Sequence, residues 1–468
     1  MRHRRWYAHA IAASAVLMAA CQDLPTKVPS AGTPALSVQA TAARYTAEHV
    51  VIFDAGVPAD FDARIATLGG TVVRVLQPIG VAIVTGLSDD GAADLAAARD
   101  ISAAARDVSV QALPIPSDIV TQALPTGSPA PVSHDPTAAA FFPIQWDMHI
   151  IHVDDAWTAG FDDASGVRVA ILDTGIDPFH IDMVGRVDAS SSIAFVNSLN
   201  GAGPAWGDDH FHGTHVAGTV STNGLGTSGV APHATLVAVK VCNVVGSCSF
   251  AAMISGLVHA ADVDVDVINM SISGLVNLPS GAGPLMGVFN RAINYAASKG
   301  ALVVSAAGNN GLDLQHLERD FGVNAFRASP CENGAGVCVS STGPGDMIAS
   351  YSNYGRSAIN VAAPGGDASV GGSIFNTMVL APCSTLSLVS GGVCAGNGVY
   401  IFLEGTSMAA PHVAGAAAMI DARSGGGMNA GQLRSALQKS ADDLGKSGAD
   451  PFYGAGRINV GRSLGVIP

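Results

Sequence analysis

From residue 167 onward the chain repeats one pattern: a short apolar run that reads as a buried strand, then a stretch that reads as a helix. The runs are 167–172, 235–241, 265–270, 302–307 and 359–363, and helical stretches such as 251–261 and 288–299 lie between them. Strands apolar on both faces mark a parallel sheet, because the helical crossovers cover both sides. The pattern therefore predicts an α/β fold: a doubly wound, mostly parallel sheet with helices on both faces. In such sheets the residues that do chemistry gather at the carboxyl ends of the strands. Composition agrees. At 48% apolar and 13% charged residues, disorder is excluded for most of the chain. The 55 glycines have no three-residue period, which excludes collagen. A net charge of −14 offers no basic face for nucleic acid, so none is expected as a partner.

The chain before this pattern divides into segments. Residues 1–20 read as a secretory signal: a basic start at Arg2, Arg4 and Arg5, an apolar run over 8–20, then small residues. The run is shorter than the roughly 20 residues a membrane-spanning helix needs. The sequence Leu17-Met18-Ala19-Ala20-Cys21 resembles a bacterial lipoprotein box with Cys21 as the lipidated residue. An exported protein follows, secreted or held at the bacterial cell envelope by lipid on Cys21. Residues 21–44, rich in Pro, Ser, Thr and Ala, read as a tether. Residues 45–112 form a small unit, with strands at 49–53, 71–76 and 81–84 and Ala-rich helices at 60–68 and 89–99. Six prolines punctuate 113–140, a linker or processing region, and the large domain spans 141–468.

Seven cysteines become six once Cys21 is set aside, in three close pairs: Cys242 and Cys248, Cys331 and Cys338, Cys383 and Cys394. In an exported chain such a set reads as disulfides. Spacing does not settle connectivity; local pairing is the simplest arrangement. No C-x₂-C spacing supports zinc.

The strand ends carry the chemistry. Asp173-Thr174-Gly175 follows the first apolar run. His212-Gly213-Thr214-His215-Val216-Ala217-Gly218-Thr219 reads as the start of a tightly packed helix. Ala306-Ala307-Gly308-Asn309 ends a later strand, and Gly405-Thr406-Ser407-Met408-Ala409-Ala410-Pro411-His412 opens an Ala-rich helix. Singly, these have structural readings: an Asx turn for Asp173, a helix cap for Ser407. Jointly, in the order Asp, His, Asn, Ser, they resemble the subtilisin-like serine proteases, or subtilases, over about residues 145–464. An α/β-hydrolase would show G-x-S-x-G and the order Ser, Asp, His. The resemblance implies Ser407 as nucleophile, His212 as base and then acid, Asp173 as its orienting partner, and Asn309 as donor to the oxyanion.

The resemblance implies more. Ser271, Ile272, Ser273 and Gly274 would form the strand that pairs with an extended protein or peptide substrate; the family usually has Gly where Ser273 stands, which leaves residue preference open. Residues 45–112 resemble the inhibitor-type propeptide, a small α+β ferredoxin-like domain that assists folding, blocks the cleft and is then removed by self-processing. Tyr453-Gly454-Ala455-Gly456-Arg457-Ile458-Asn459 resembles the family's closing motif, so no appended domain is expected, and the enzyme is expected to act as a monomer. No cofactor is required for the chemistry. Structural calcium is the one ion to consider: Asp182 matches a carboxylate ligand, and Asn223 is the amide that the loop 221–229 offers. Phe211 precedes His212, where a small residue is usual.

Two other readings compete. His210, His212 and His215 make an H-x-H-x-x-H spacing like that of zinc hydrolases, but that motif wants an Asp where Thr214 stands and leaves Asp173, Asn309 and Ser407 without a role. A non-catalytic protein on a protease fold would lack a member of the catalytic set, and all four are present.

Overall fold

The computed structural model describes residues 44–113, 115, 116, 118–125, 135–322 and 325–468. The expected export signal, Cys21 and nearly all of the tether lie outside the described residues. The chain opens with β1 (Arg44–Phe53), α1 (Phe61–Thr67), β2 (Thr71–Leu76), β3 (Val81–Thr85), α2 (Asp89–Ala96) and β4 (Ile101–Gln111). Their sheet runs β2-β3-β1-β4 with antiparallel neighbours, the split βαββαβ arrangement. The last strand is the one sequence reading passed over. Its ISAAARDVSVQ has little β-branched content, and what holds it extended is pairing with β1, a tertiary effect that overrides propensity.

After β5 (Thr121–Ala123) the chain enters the large sheet. Its strands are β6 (Arg168–Asp173), β7 (Ile193–Ala194), β8 (Thr235–Lys240), β10 (Val267–Met270), β12 (Leu302–Ala306), β14 (Val337–Thr342) and β15 (Val361–Pro364). They lie in the order β15-β14-β12-β10-β6-β8-β7 with every neighbour parallel, as the apolar runs predict. Short strands β9 (Ser247–Ser249), β11 (Gly274–Asn277), β13 (Phe326–Ser329), β16 (Val379–Pro382) and β17 (Val399–Leu403) form its fittings. The principal helices are α3 (His212–Val220), α4 (Phe250–Asp262), α5 (Gly283–Ser298) and α6 (Thr406–Ser424).

Alternation along each strand builds two cores. Val169 and Ile171 of β6 pack with Val216, Ala217, Met408 and Val413 of α3 and α6. Ala170 and Leu172 face the other way, onto Met253 and Leu257 of α4 and Phe289 of α5. Helices on both faces follow from strands apolar on both faces. The second core continues into the N-terminal unit through Ile52, Leu76, Val108 and Val110. There β4 pairs antiparallel with β9, Val110 opposite Cys248, so one five-stranded sheet spans both parts. Asp107, fully buried, accepts a 2.8 Å bond from Ala251 N in the first turn of α4 and a 2.9 Å bond from Thr46 Oγ1. Burial pushes its carboxyl up to about 6.

All three local disulfides are present: Cys242–Cys248, Cys331–Cys338 and Cys383–Cys394. Among the described residues no helix is long and apolar enough to cross a membrane.

Candidate active site

Asp173 ends β6, an interior strand of the large sheet, and is fully buried. The turn after it must lie against the first turn of α3 for Asp173 to meet His212. Two glycines allow the contact: a Cβ on Gly175 would fall 2.4 Å from Trp206 O, and one on Gly213 would fall 2.1 Å from Gly175 O. Thr174 Oγ1 accepts from Gly213 N at 2.9 Å and closes the junction. His212 Nδ1 then lies 2.8 Å from Asp173 Oδ1. An ionised carboxylate only accepts, so Nδ1 carries the proton and Nε2 is left basic.

The loop before His212 is held by groups that sequence reading missed. Asp208, fully buried, accepts five bonds: from Thr174 Oγ1, His210 N and Phe211 N on one oxygen, and from Thr214 N and Oγ1 on the other. Asp209 pairs with Lys240 Nζ at 2.7 Å, both side chains fully buried; such a pair specifies an arrangement more than it stabilises it. The spacing of Asp208 four residues before His212 carries no motif, and only the fold shows its use.

Ser407 is the second residue of α6. Its environment follows from Pro411, four residues on. Pro has no N–H, so the helix cannot satisfy the Ser407 carbonyl. Ser271 Oγ donates to it instead, at 2.7 Å, and Ser407 Oγ donates back to the Ser271 carbonyl at 3.0 Å. The Ser407 hydroxyl is thus bonded to Ser271 rather than to His212. At a helix N-terminus it also meets the positive end of the dipole.

Asn309 follows β12. Its Oδ1 accepts from Thr406 N at 2.9 Å and from Thr406 Oγ1 at 2.7 Å. This fixes the amide and leaves Nδ2 as its free donor. Asn353, almost fully buried, braces the same turn: Oδ1 accepts from Asn310 N and Leu312 N, and Nδ2 donates to Ala307 O. It is a second residue without a sequence signal.

Of the four expected substrate-strand residues, Ser271 touches Ser407, as above. Ile272 is fully buried and belongs to the core. Ser273 Oγ donates to Ala307 O at 3.2 Å, bridging to the turn that carries Asn309. Gly274 pairs with Ser329 in β11–β13. The chain's own N-terminal unit lies against these residues. A Cβ on Gly274 would meet Val110 at 2.8 Å, and Ala112 N and Leu113 N both donate to Gly246 O at 3.2 Å.

At Asp182 the expected calcium site does not fit a cation. Asp182 spends both oxygens on donors: Leu225 N, Gly226 N, Thr227 N and Tyr400 OH. Asn223 Nδ2 donates to Ile181 O and Val184 O. Calcium needs six to eight free oxygens, and here hydrogens face the carboxylate. The three histidines likewise diverge. His215 Nε2 sits on Val379 O at 3.1 Å, and His210 Nδ1 accepts from His212 N at 3.3 Å. Burial pushes both His210 and His215 down to about 3, so they stay neutral.

The arrangement can therefore supply a base backed by a buried carboxylate, a hydroxyl at a helix start, and two donors, Asn309 Nδ2 and the Ser407 N–H, beside it. Comparison with known proteins gives the family. A model of the subtilase family matches residues 164–456. Thermitase of Thermoactinomyces vulgaris is 33% identical over 336 residues, 71% of this chain and 99% of that one. Subtilisin DY of Bacillus licheniformis is 34% identical, covering 68% of this chain and 97% of its own. Among solved structures, a lanthipeptide protease superposes with a TM-score of 0.57 at 29% identity, over 69% of this chain and 95% of that one. The epidermin leader peptide processing serine protease of Staphylococcus aureus superposes at 0.70 over 89% of this chain and 97% of that one. Its 23% identity makes that likeness one of fold.

Proposed function

Because the chain belongs to the subtilase family of subtilisin-like serine peptidases, we propose that it is an exported serine endopeptidase that cuts peptide bonds with Asp173, His212 and Ser407. The observation that carries this reading is the 2.8 Å contact of His212 Nδ1 with buried Asp173. It assigns the Asp173 contact to Nδ1 and leaves Nε2 as the ring nitrogen open to the nucleophile. In the reaction the Ser407 hydroxyl turns from Ser271 to His212, and Oγ bonds the substrate carbonyl as Nε2 takes its proton. Asn309 Nδ2 and the Ser407 N–H receive the charge that develops on oxygen. The C–N bond breaks as Nε2 returns the proton to the leaving amine. Water then releases the acyl group from Ser407 by the same proton route, and no cofactor takes part.

Residues 45–112 act as an intramolecular inhibitor in this reading. The support is that β4 extends β9 and that Val110, Ala112 and Leu113 lie against Gly274 and Gly246, where a substrate strand would add to the sheet. Further along, the Val120 carbonyl accepts from Phe402 N at 3.0 Å, and β5 runs along β17. Self-cleavage falls within the linker 113–140. Export follows residues 1–20, with lipid on Cys21 as the anchor.

The test is Ser407→Ala in a protease-free host. The variant should lose casein hydrolysis and remain an uncleaved precursor, whereas the parent is processed. A variant that matures normally would refute self-processing, and a processed parent that cleaves no peptide would refute the catalytic reading. Intact mass should show acyl mass that Cys21→Ala removes.

A further inference from the structure

The backbone just before His212 is strained. Phe211, a bulky residue, sits at φ 149° and ψ −21° with its side chain buried. Such a conformation persists only where the surroundings over-determine it. Asp208 supplies part of that, through the N–H groups of His210 and Phe211. The rest comes from far along the chain. Ser384 Oγ donates to Asp208 O at 2.6 Å, Leu388 N donates to Asp209 O at 2.9 Å, and Ser387 Oγ donates to His210 O. Three consecutive carbonyls leading into Phe211 are thus gripped by one short run. The same run reaches the turn beyond Asp173, where Thr385 N and Oγ1 donate to Asp177 Oδ2 at 2.7 and 2.6 Å.

That run has no regular secondary structure to hold it in shape. It is held at its ends, by Cys383 N on Val399 O at 2.9 Å and by the disulfide from Cys383 to Cys394, both fully buried. Closing a loop removes open conformations that would release the grip. We propose that the disulfide-closed loop 383–394 is a positioning clamp for the catalytic base His212, holding the strained Phe211 backbone and thereby setting kcat. The proposal rests on the triad reading above. It separates this disulfide from Cys242–Cys248, which closes the hairpin carrying Gly246, the carbonyl that holds Leu113. That second bridge lies in the hairpin against which Leu113 docks, and its loss should act on KM.

The experiment compares two paired variants of the processed enzyme on one peptide substrate. Cys383→Ala with Cys394→Ala should lower kcat by about tenfold with KM nearly unchanged, since small misplacements of a catalytic group cost this much or more. Cys242→Ala with Cys248→Ala should raise KM and leave kcat nearly unchanged. Ser384→Ala with Ser387→Ala, disulfides intact, removes two grips and should lower kcat in the same direction; this variant decides the matter if the first does not fold or mature. A general loss of stability would move both cysteine variants alike, and that result overturns the clamp. So does a parent-like kcat in the folded Cys383/Cys394 variant or in the serine variant. Labelling of the parent at Ser407 by a fluorophosphonate keeps the two ideas apart. Labelling together with a parent-like kcat in the variants overturns the clamp alone, and no labelling overturns the triad and the clamp with it.

Discussion

Asn309 offers the sharpest separation of chemistry from structure, because its two amide atoms do different things. Oδ1 accepts two bonds from Thr406 and holds the start of α6, while Nδ2 is left free for the donor role proposed above. Asn309→Asp is nearly isosteric: it keeps an acceptor for Thr406 and replaces the donor with a charged oxygen. Asn309→Ala removes donor and acceptor together. Losing the donor costs about 2.7–4 kcal/mol, or roughly 10²–10³ in kcat, a range measured on a subtilisin, a member of this same family. The Asp variant should lose at least this much, since its charge also repels the developing oxyanion. For stability the order reverses. Asn309→Ala forfeits two bonds worth about 0.5–1.5 kcal/mol each, so it should be about 1–3 kcal/mol less stable, whereas Asn309→Asp stays near the parent. Steady-state kinetics and urea unfolding of the precursor on the Ser407→Ala background measure the two quantities. A kcat for Asn309→Asp within tenfold of the parent would refute the donor role. An Asn309→Ala as stable as Asn309→Asp would refute the structural role of Oδ1.

Three further outcomes are expected. Gly213→Ala should abolish activity, because its Cβ would lie 2.1 Å from the Gly175 carbonyl and backbone on both sides would have to part; unchanged casein hydrolysis would contradict the junction described. Docking of the N-terminal unit should depend on pH through Asp107. Its carboxyl is raised to about 6 when docked, so the docked state binds the proton better; docking is strongest below about pH 4, weakens as pH rises to about 6, and is flat above, by up to about tenfold per pH unit. Inhibition constants of the isolated unit at several pH values measure this, and Asp107→Asn should flatten that part of the profile. Tyr400→Phe removes one donor from buried Asp182 while keeping the ring against Phe141 and His180; it should cost about 1–3 kcal/mol in urea unfolding, and no loss would mean the carboxylate is satisfied otherwise.

The residues of the candidate site were legible in the sequence, for a physical reason. A nucleophile, base, orienting acid and oxyanion donor can each be only a few side-chain types, and the four residues proposed for these roles each sit where a strand ends or a helix begins. The periodic signals that locate those ends are local: the apolar runs became β6, β8, β10, β12 and β15 with small shifts at their edges. The three disulfides joined neighbours because the chain between them is short. By contrast β4 and β14 were not read as strands. The first lacks β-branched content and is held by pairing with β1; the second, VCVSST, has small polar residues that are buried only because the sheet encloses them.

What the tertiary structure alone decided are the groups that act across long separations. Asp182 accepts from Tyr400, 218 residues away, and that bond helps turn an expected calcium ligand into a saturated hydrogen-bond acceptor. The loop 383–394 grips carbonyls 176 and 177 residues earlier. Asp208, Lys240 and Asn353 are polar residues that sequence would place on a surface; the fold buries them and uses the bonds they make to aim His212 and Asn309. Composition and periodicity report what a residue prefers next to its neighbours. Which distant group satisfies a buried charge depends on how the layers close, and that was settled only when strands, helices and loops met.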